Sequence, residues 1–156
     1  MTAPSHVRAP RPFNTSLPQH ESLVHMLLAA VEAQPDLPAV IFEQQSITYA
    51  ELGRAVAGLA KRLEAAGAKR GERVILLMVN SIEMDAALMA VMATCAQVAP
   101  VNPFLTLPEL KRQLGDLSAC AIVCDKQSEE KAAAVAAQFG IPTQLTLGAG
   151  GTPLDT

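Results

Sequence analysis

The sequence predicts an α/β fold: an N-terminal helix and β-hairpin leading into a doubly wound, mostly parallel sheet with helices on both faces. Three observations carry that prediction. From Arg73 onward, short runs of aliphatic and β-branched residues alternate with segments of helical length. The short runs are apolar almost continuously rather than at every second residue, as in strands covered on both faces. Three of the intervening segments open on a capping side chain followed three residues later by glutamate, a signature of a helix start.

Composition bounds what this fold is made of. Half of the 156 residues are hydrophobic, but only 3% are aromatic, with no Trp and a single Tyr, Tyr49. The core must be built from Ala, Val, Leu, Ile and Met, which suit helices packed closely on a buried parallel sheet. The length is that of one domain. A net charge of -3 and scattered basic residues leave no electrostatic footprint for nucleic acid, so no nucleic-acid partner is expected. The most apolar stretch, 86–93, is far short of the ~20 residues of a membrane span, and no transmembrane segment is expected. The N-terminal stretch is rich in proline and has no apolar run of the signal-peptide kind. A cytoplasmic protein follows as the default. Residues 1–20 read as a disordered or extended arm, 21–147 as the folded unit and 148–156 as a flexible tail.

The elements follow in order. Ser22 is a candidate N-cap for a helix whose Leu23, Met26, Leu27, Ala30 and Val31 share one face, closed by Pro35 and Pro38. Ala39–Phe42 and Ser46–Thr48, separated by Glu43, Gln44 and Gln45, read as a hairpin. Thr48 with Glu51, Asn80 with Glu83 and Thr106 with Glu109 form the three capping pairs. Each cap oxygen would accept from a free backbone N–H while the glutamate reaches back to the cap's own N–H. Ser128 before Glu129 and Glu130 gives a fourth start, with two acids near the positive end of the helix. Arg73–Leu77, Val98–Val101, Ala121–Cys124 and Thr143–Leu147 are the parallel strands, and Gly67 and Gly140 stand where helix C-caps belong.

In such a sheet ligands bind at the carboxyl ends of the strands. The loop after Leu77 offers Asn80 and Ser81, which a helix cap explains as well as a ligand does. Asn102, before a proline, favours an extended turn. Asp125 and Lys126 read as an exposed charge pair. Gly148, Ala149, Gly150 and Gly151 invite a phosphate-loop reading, yet lack the Lys and Ser or Thr that would meet phosphate and magnesium. His6, His20 and His25 have no partner at motif spacing, and His25 falls on the polar side of its helix. Met78, Met84, Met89 and Met92 read as gap-filling core residues. Cys120 and Cys124 fall with Ile122 on one strand face, without a third ligand nearby, and read with Cys95 as structural cysteines. No dinucleotide fingerprint follows a strand, which weighs against a small oxidoreductase.

The order of segments goes further than any single motif. Ile47-Thr48-Tyr49-Ala50-Glu51-Leu52, preceded by Pro38–Phe42, resembles the first block of the adenylate-forming superfamily, which includes acyl-CoA synthetases, luciferases and peptide-synthetase adenylation domains. Gly71–Val74 with Asn80, Ser81 and Glu83 resembles its next strand–helix unit. Met92–Pro103 resembles its second block, and Leu105–Leu110 with the strand ending at Asp125 completes the match. Cys95 stands where that family usually has Gly, and Val79 where it usually has Pro. The resemblance implies an incomplete N-terminal subdomain, over 21–147, of an AMP-forming acid–CoA ligase. Such an enzyme joins a carboxylic acid to ATP as acyl-adenylate and then passes the acyl group to CoA, with Mg2+ assisting.

The family's catalytic blocks do not occur in these residues. No catalytic, cofactor-binding or metal residue is therefore assigned, and this stretch alone is expected to be inactive. Exposed apolar surface would favour self-association. The alternative is a free-standing α/β binding or interaction module of the same descent.

Overall fold

The computed structural model describes residues 19–115, 117–149, 151 and 154. The predicted N-terminal arm lies outside them apart from Gln19 and His20. Helix α1 (Leu23–Ala33) leads to a hairpin of β1 (Pro38–Phe42) and β2 (Gln45–Thr48), then to α2 (Tyr49–Ala65). There follow β3 (Arg73–Leu77), α3 (Ile82–Ala93), β4 (Gln97–Val101), α4 (Leu107–Leu114), β5 (Ala121–Asp125), α5 (Glu129–Phe139) and β6 (Thr143–Leu147). The hairpin is an antiparallel sheet of its own, while β4-β3-β5-β6 form a second sheet in that order. All three pairings of the second sheet are parallel. No helix among the described residues is long and apolar enough to cross a membrane.

The central strands explain the two-layered helical cover. Val74–Leu77 of β3 and Ala121–Cys124 of β5 are at most 1% exposed, and strand side chains alternate between faces. Val74, Leu76, Ala121 and Val123 therefore join one core with α2, α3 and the hairpin. Ile75, Leu77, Ile122 and Cys124 join a second with α4 and α5. Each buried aliphatic side chain contributes roughly 1.5–3 kcal/mol against leaving it exposed. A polar residue at any of these positions would have no solvent on either face.

Helix sequences fit their places. The α3 helix presents Ala86, Ala87, Ala90 and Val91 to the core at 0% exposure, and such small side chains allow close approach to its neighbours. The short α4 buries only Leu110 and Leu114, a one-sided stripe suited to a surface helix. Pro100 lacks an amide hydrogen and sits in β4, which among the described residues pairs with β3 alone, a place that tolerates the missing donor. Between α1 and α2 the helices come close at Gly53, where an added Cβ would lie 3.1 Å from Val31.

The structure refines one expectation and changes two. The shared apolar face of α1 is only partly covered, with Leu27 buried and Val31 packed on the larger core, while Leu23 and Met26 are about half exposed (48% and 45%). Cys120 and Cys124 do not share a strand face. β5 begins only at Ala121, so Cys120 precedes it and packs on the larger core, while Cys124 lies in the other. Met78 is buried, and Met84 and Met89 are half-buried against the larger core, but Met92 belongs to neither cluster.

The end of α3 shows why glycine suits position 95. Cys95 follows the C-cap Thr94 and has φ of 62°, the left-handed region in which a side chain meets the backbone. Thr94, buried, donates from its hydroxyl to Val91 O (2.8 Å) and accepts from Ala96 N–H (3.3 Å), which holds the turn in place. Cys95→Gly should stabilise the chain by about 1 kcal/mol by relieving this conformation. Urea unfolding checks it, and a lower midpoint in the variant would refute the strain.

Candidate functional site at the carboxyl edge of the sheet

The helices that follow β3 and β5 leave on opposite faces, α3 over the larger core and α5 over the smaller. The adjoining carboxyl ends of these strands thus form the topological switch point. Helices α3, α4 and α5 all begin at this edge, so their unpaired N–H groups and positive dipole ends collect there. α2 begins beside it, since Glu51 lines one cavity with Ile82 and Glu83 at the start of α3.

The chain's own side chains take up part of those donors. At α2, Thr48 N–H and hydroxyl both donate to Glu51 Oε2 (2.8 and 2.9 Å), and Glu51 N–H donates to Thr48 Oγ1 (3.3 Å). At α4, Thr106 N–H and hydroxyl donate to Glu109 Oε2 (2.8 and 2.7 Å). At α3, Met84 N–H donates to Ser81 Oγ (3.2 Å). Before α5 lies one 3-10 turn, Lys126–Ser128, and Ser128 N–H donates to Asp125 Oδ1 (2.8 Å).

These bonds set the charges. The Thr48 backbone N–H, then its hydroxyl, hold Glu51 below the ordinary value of 4.5. The hydroxyl of Thr106, then its N–H, do the same for Glu109. Glu129 is lowered by hydrogen bonds from Lys126 and Thr146. Burial raises the thiols of Cys120 and Cys124, so neither is a ready thiolate nucleophile.

Two neighbouring cavities open here. One of about 760 Å³ lies between β2, the starts of α2 and α3, and the residues Gly148, Ala149, Gly151 and Leu154. The other, of about 610 Å³, is lined by Val79, Ser81, Glu83, Asp125, Lys126 and Gly148, among others. Gly148 and Gly151 are joined by a backbone hydrogen bond of 2.9 Å. A Cβ on Gly151 would stand 2.6 Å from the carbonyl of Thr146, so only glycine fits that turn.

Several sequence expectations are corrected at this edge. Asn80 does not cap α3. It is exposed, and Ser81 is the last extended residue before the helix, at φ -166°. The cap falls one residue later because Val79 N–H is held by Asp125, so the chain turns only after it. Asp125 and Lys126 are not a charge pair. Asp125 is half-buried, with Oδ2 accepting from Val79 N–H (2.7 Å), and Lys126 pairs with Glu129. Ser128 caps α5 without a side-chain hydrogen bond. Asn102 does make its turn, accepting from Phe104 N–H (2.9 Å). His25 is exposed against Ser22.

Sequence reasoning missed two residues. Asp125 stands three positions before Ser128, a capping spacing that could have been read. Lys131 gave no signal: its ammonium reaches across from α5 to the carbonyls of Pro103 and of Leu105 (2.9 Å), pinning the loop after β4.

The model of the AMP-binding enzyme family matches residues 27–150. The chain belongs to that family. A long-chain-fatty-acid–CoA ligase from Escherichia coli O6:H1 is 34% identical over 106 residues, 67% of this chain and 19% of the relative. Among solved structures, a putative long-chain-fatty-acid CoA ligase from Rhodopseudomonas palustris superposes with a TM-score of 0.75 at 26% identity. It covers 85% of this chain and 34% of its own. O-succinylbenzoate coenzyme A synthetase from Bacillus subtilis, in complex with ATP and magnesium ion, gives a TM-score of 0.66 at 26% identity, covering 77% and 32%. The chain thus spans about a fifth of the curated ligase and a third of each solved one.

The AMP-binding family implies a triphosphate, and this edge does not fit one. Glu43, Glu83 and Asp125 line the smaller cavity with a single ammonium, Lys126, which already serves Glu129. Several of the helix-start donors that could cradle phosphate, the N–H groups of Glu51, Met84 and Ser128, are already held by side chains of this chain.

Two outcomes follow from these contacts. Because Glu51 is depressed in the folded chain, its contribution is present at neutral pH and is lost as pH falls through its folded value, below 4.5. Wild type should therefore exceed Glu51→Gln in stability at pH 7, with the gap narrowing as pH falls below 4.5; thermal unfolding followed across that range reads this directly. Lys131→Met should cost about 1–2 kcal/mol and speed amide exchange over 102–106. Unchanged exchange there would show that Lys131 does not hold the loop.

Proposed function

We propose that this chain is the N-terminal part of the large domain of an ATP-dependent, AMP-forming carboxylic acid–CoA ligase. The match to the AMP-binding enzyme family over residues 27–150 carries this reading, and the CoA ligases among its relatives and structural neighbours support it. The overall reaction joins an acid to ATP as acyl-adenylate and pyrophosphate, then releases AMP as the thioester forms.

Within that enzyme, residues 21–147 act as scaffold. Their polar groups at the carboxyl edge are engaged with one another, which suits a frame rather than a reacting centre. The carboxylic acid, ATP, Mg2+ and CoA would be met by other parts of the enzyme. The exposed Leu23, Met26 and Leu28 of α1, with Ile41 and Phe104, would face those parts, and in isolation would drive self-association.

By itself the 156-residue chain should not form acyl-adenylate. Pyrophosphate–ATP exchange with a panel of carboxylic acids tests this, with background rates expected for every acid. Acid-dependent exchange above background would overturn the scaffold assignment.

A further inference from the structure

Asp125 ends β5 at the switch point, where a doubly wound sheet ordinarily opens a crevice for its ligand. Its two oxygens serve two different loops. Oδ2 takes the N–H of Val79, just past β3, at 2.7 Å, and Oδ1 takes the N–H of Ser128, at the start of α5, at 2.8 Å. Both lengths are those of charge-assisted hydrogen bonds. Val79 lies 46 residues earlier in the chain, so the contact joins the two halves of the sheet rather than closing a local turn. The basic side chain nearest in sequence, Lys126, is turned to Glu129, which leaves the two amides as the partners of the carboxylate.

We propose that Asp125 is an internal ligand: its carboxylate occupies the paired amides of Val79 and Ser128 at the wall of the switch-point cavity, clamps the loops after β3 and β5 together, and denies those amides to nucleotide and other anions. The role is a positioning one, and it stands whether or not the chain turns out to catalyse any reaction. Both amides point at one small space, spaced to receive the two oxygens of a single carboxylate. Removing the side chain leaves that receptor in place and empties it. A free carboxylate of formate size can then enter, whereas the native chain offers it nothing.

The test uses the 156-residue chain and its Asp125→Ala and Asp125→Asn variants. Sodium formate is titrated against sodium chloride at equal ionic strength while thermal unfolding is followed. Asp125→Ala should unfold below wild type and recover saturably with formate. Wild type and Asp125→Asn, in which a side chain already occupies the amide pair, should not respond. No recovery, or the same response in all three, overturns the proposal.

Should Asp125→Ala not fold, amide exchange in Asp125→Asn decides. The amide group offers one acceptor oxygen in place of two, so either Val79 or Ser128 should exchange about tenfold faster than in wild type, as the loss of one hydrogen bond implies. Equal protection of both amides in the two proteins overturns the clamp. ATP titrated into wild type should leave the Val79 and Ser128 amide resonances unmoved, and displacement of both would show that the crevice is open.

Discussion

The structure depends on one constraint: β3 and β5 lie side by side with both faces covered. A strand so placed can carry no polar side chain along its length, which is why Val74–Leu77 and Ala121–Cys124 are aliphatic or cysteine throughout. It also needs helices on both sides, and the alternation of strand side chains then divides the interior into two cores. The helices answer in kind. α3, enclosed by the sheet and its neighbours, is apolar nearly all round, whereas α4 shows the core only Leu110 and Leu114. Polarity appears only at the strand ends, at Arg73 where β3 begins and at Asp125 where β5 closes.

At that end the same architecture gathers the positive ends of several helices, a concentration of donors that in many α/β proteins recruits phosphate. Here Glu51, Glu109, Ser81 and Asp125 meet it from within. Bringing carboxylates to these donors settles the helix starts and lowers the glutamates involved. It also engages part of the donors from which an anion site would be built. Membership of the AMP-binding family and an edge whose described carboxylates outnumber its ammonium groups are compatible because the segment is a small share of its relatives. The family likeness lies in the frame.

Most of this frame was legible in the sequence, because its signals are local. Runs such as Arg73–Leu77 and pairs such as Thr48 with Glu51 declare strand and helix within a few residues, and the structure places both where they were read. What was illegible depended on contacts across the chain. Asn80 and Ser81 are equally good caps on paper, and the choice between them follows from Val79 being held by a residue 46 positions away. The split of Cys120 from Cys124 turns on a strand starting one residue later than its apolar run. Lys131 looks like any surface lysine until the loop after β4 is brought beneath it. In α1 the periodicity of Leu23, Met26 and Leu27 was real, but periodicity states only that a face is apolar, not that something covers it.

The strand order has a consequence for how the chain is made. Val74 of β3 pairs with Val98 on one side and with Ala121 on the other, and both partners follow it in sequence. As the polypeptide leaves the ribosome, β3 has α2 available for one face but neither of its edge partners. Its other face waits for α4 and α5. The first strand of the sheet to be synthesised is thus enclosed only once most of the unit has emerged, and until then it is an unpaired aliphatic edge of the kind that chaperones hold.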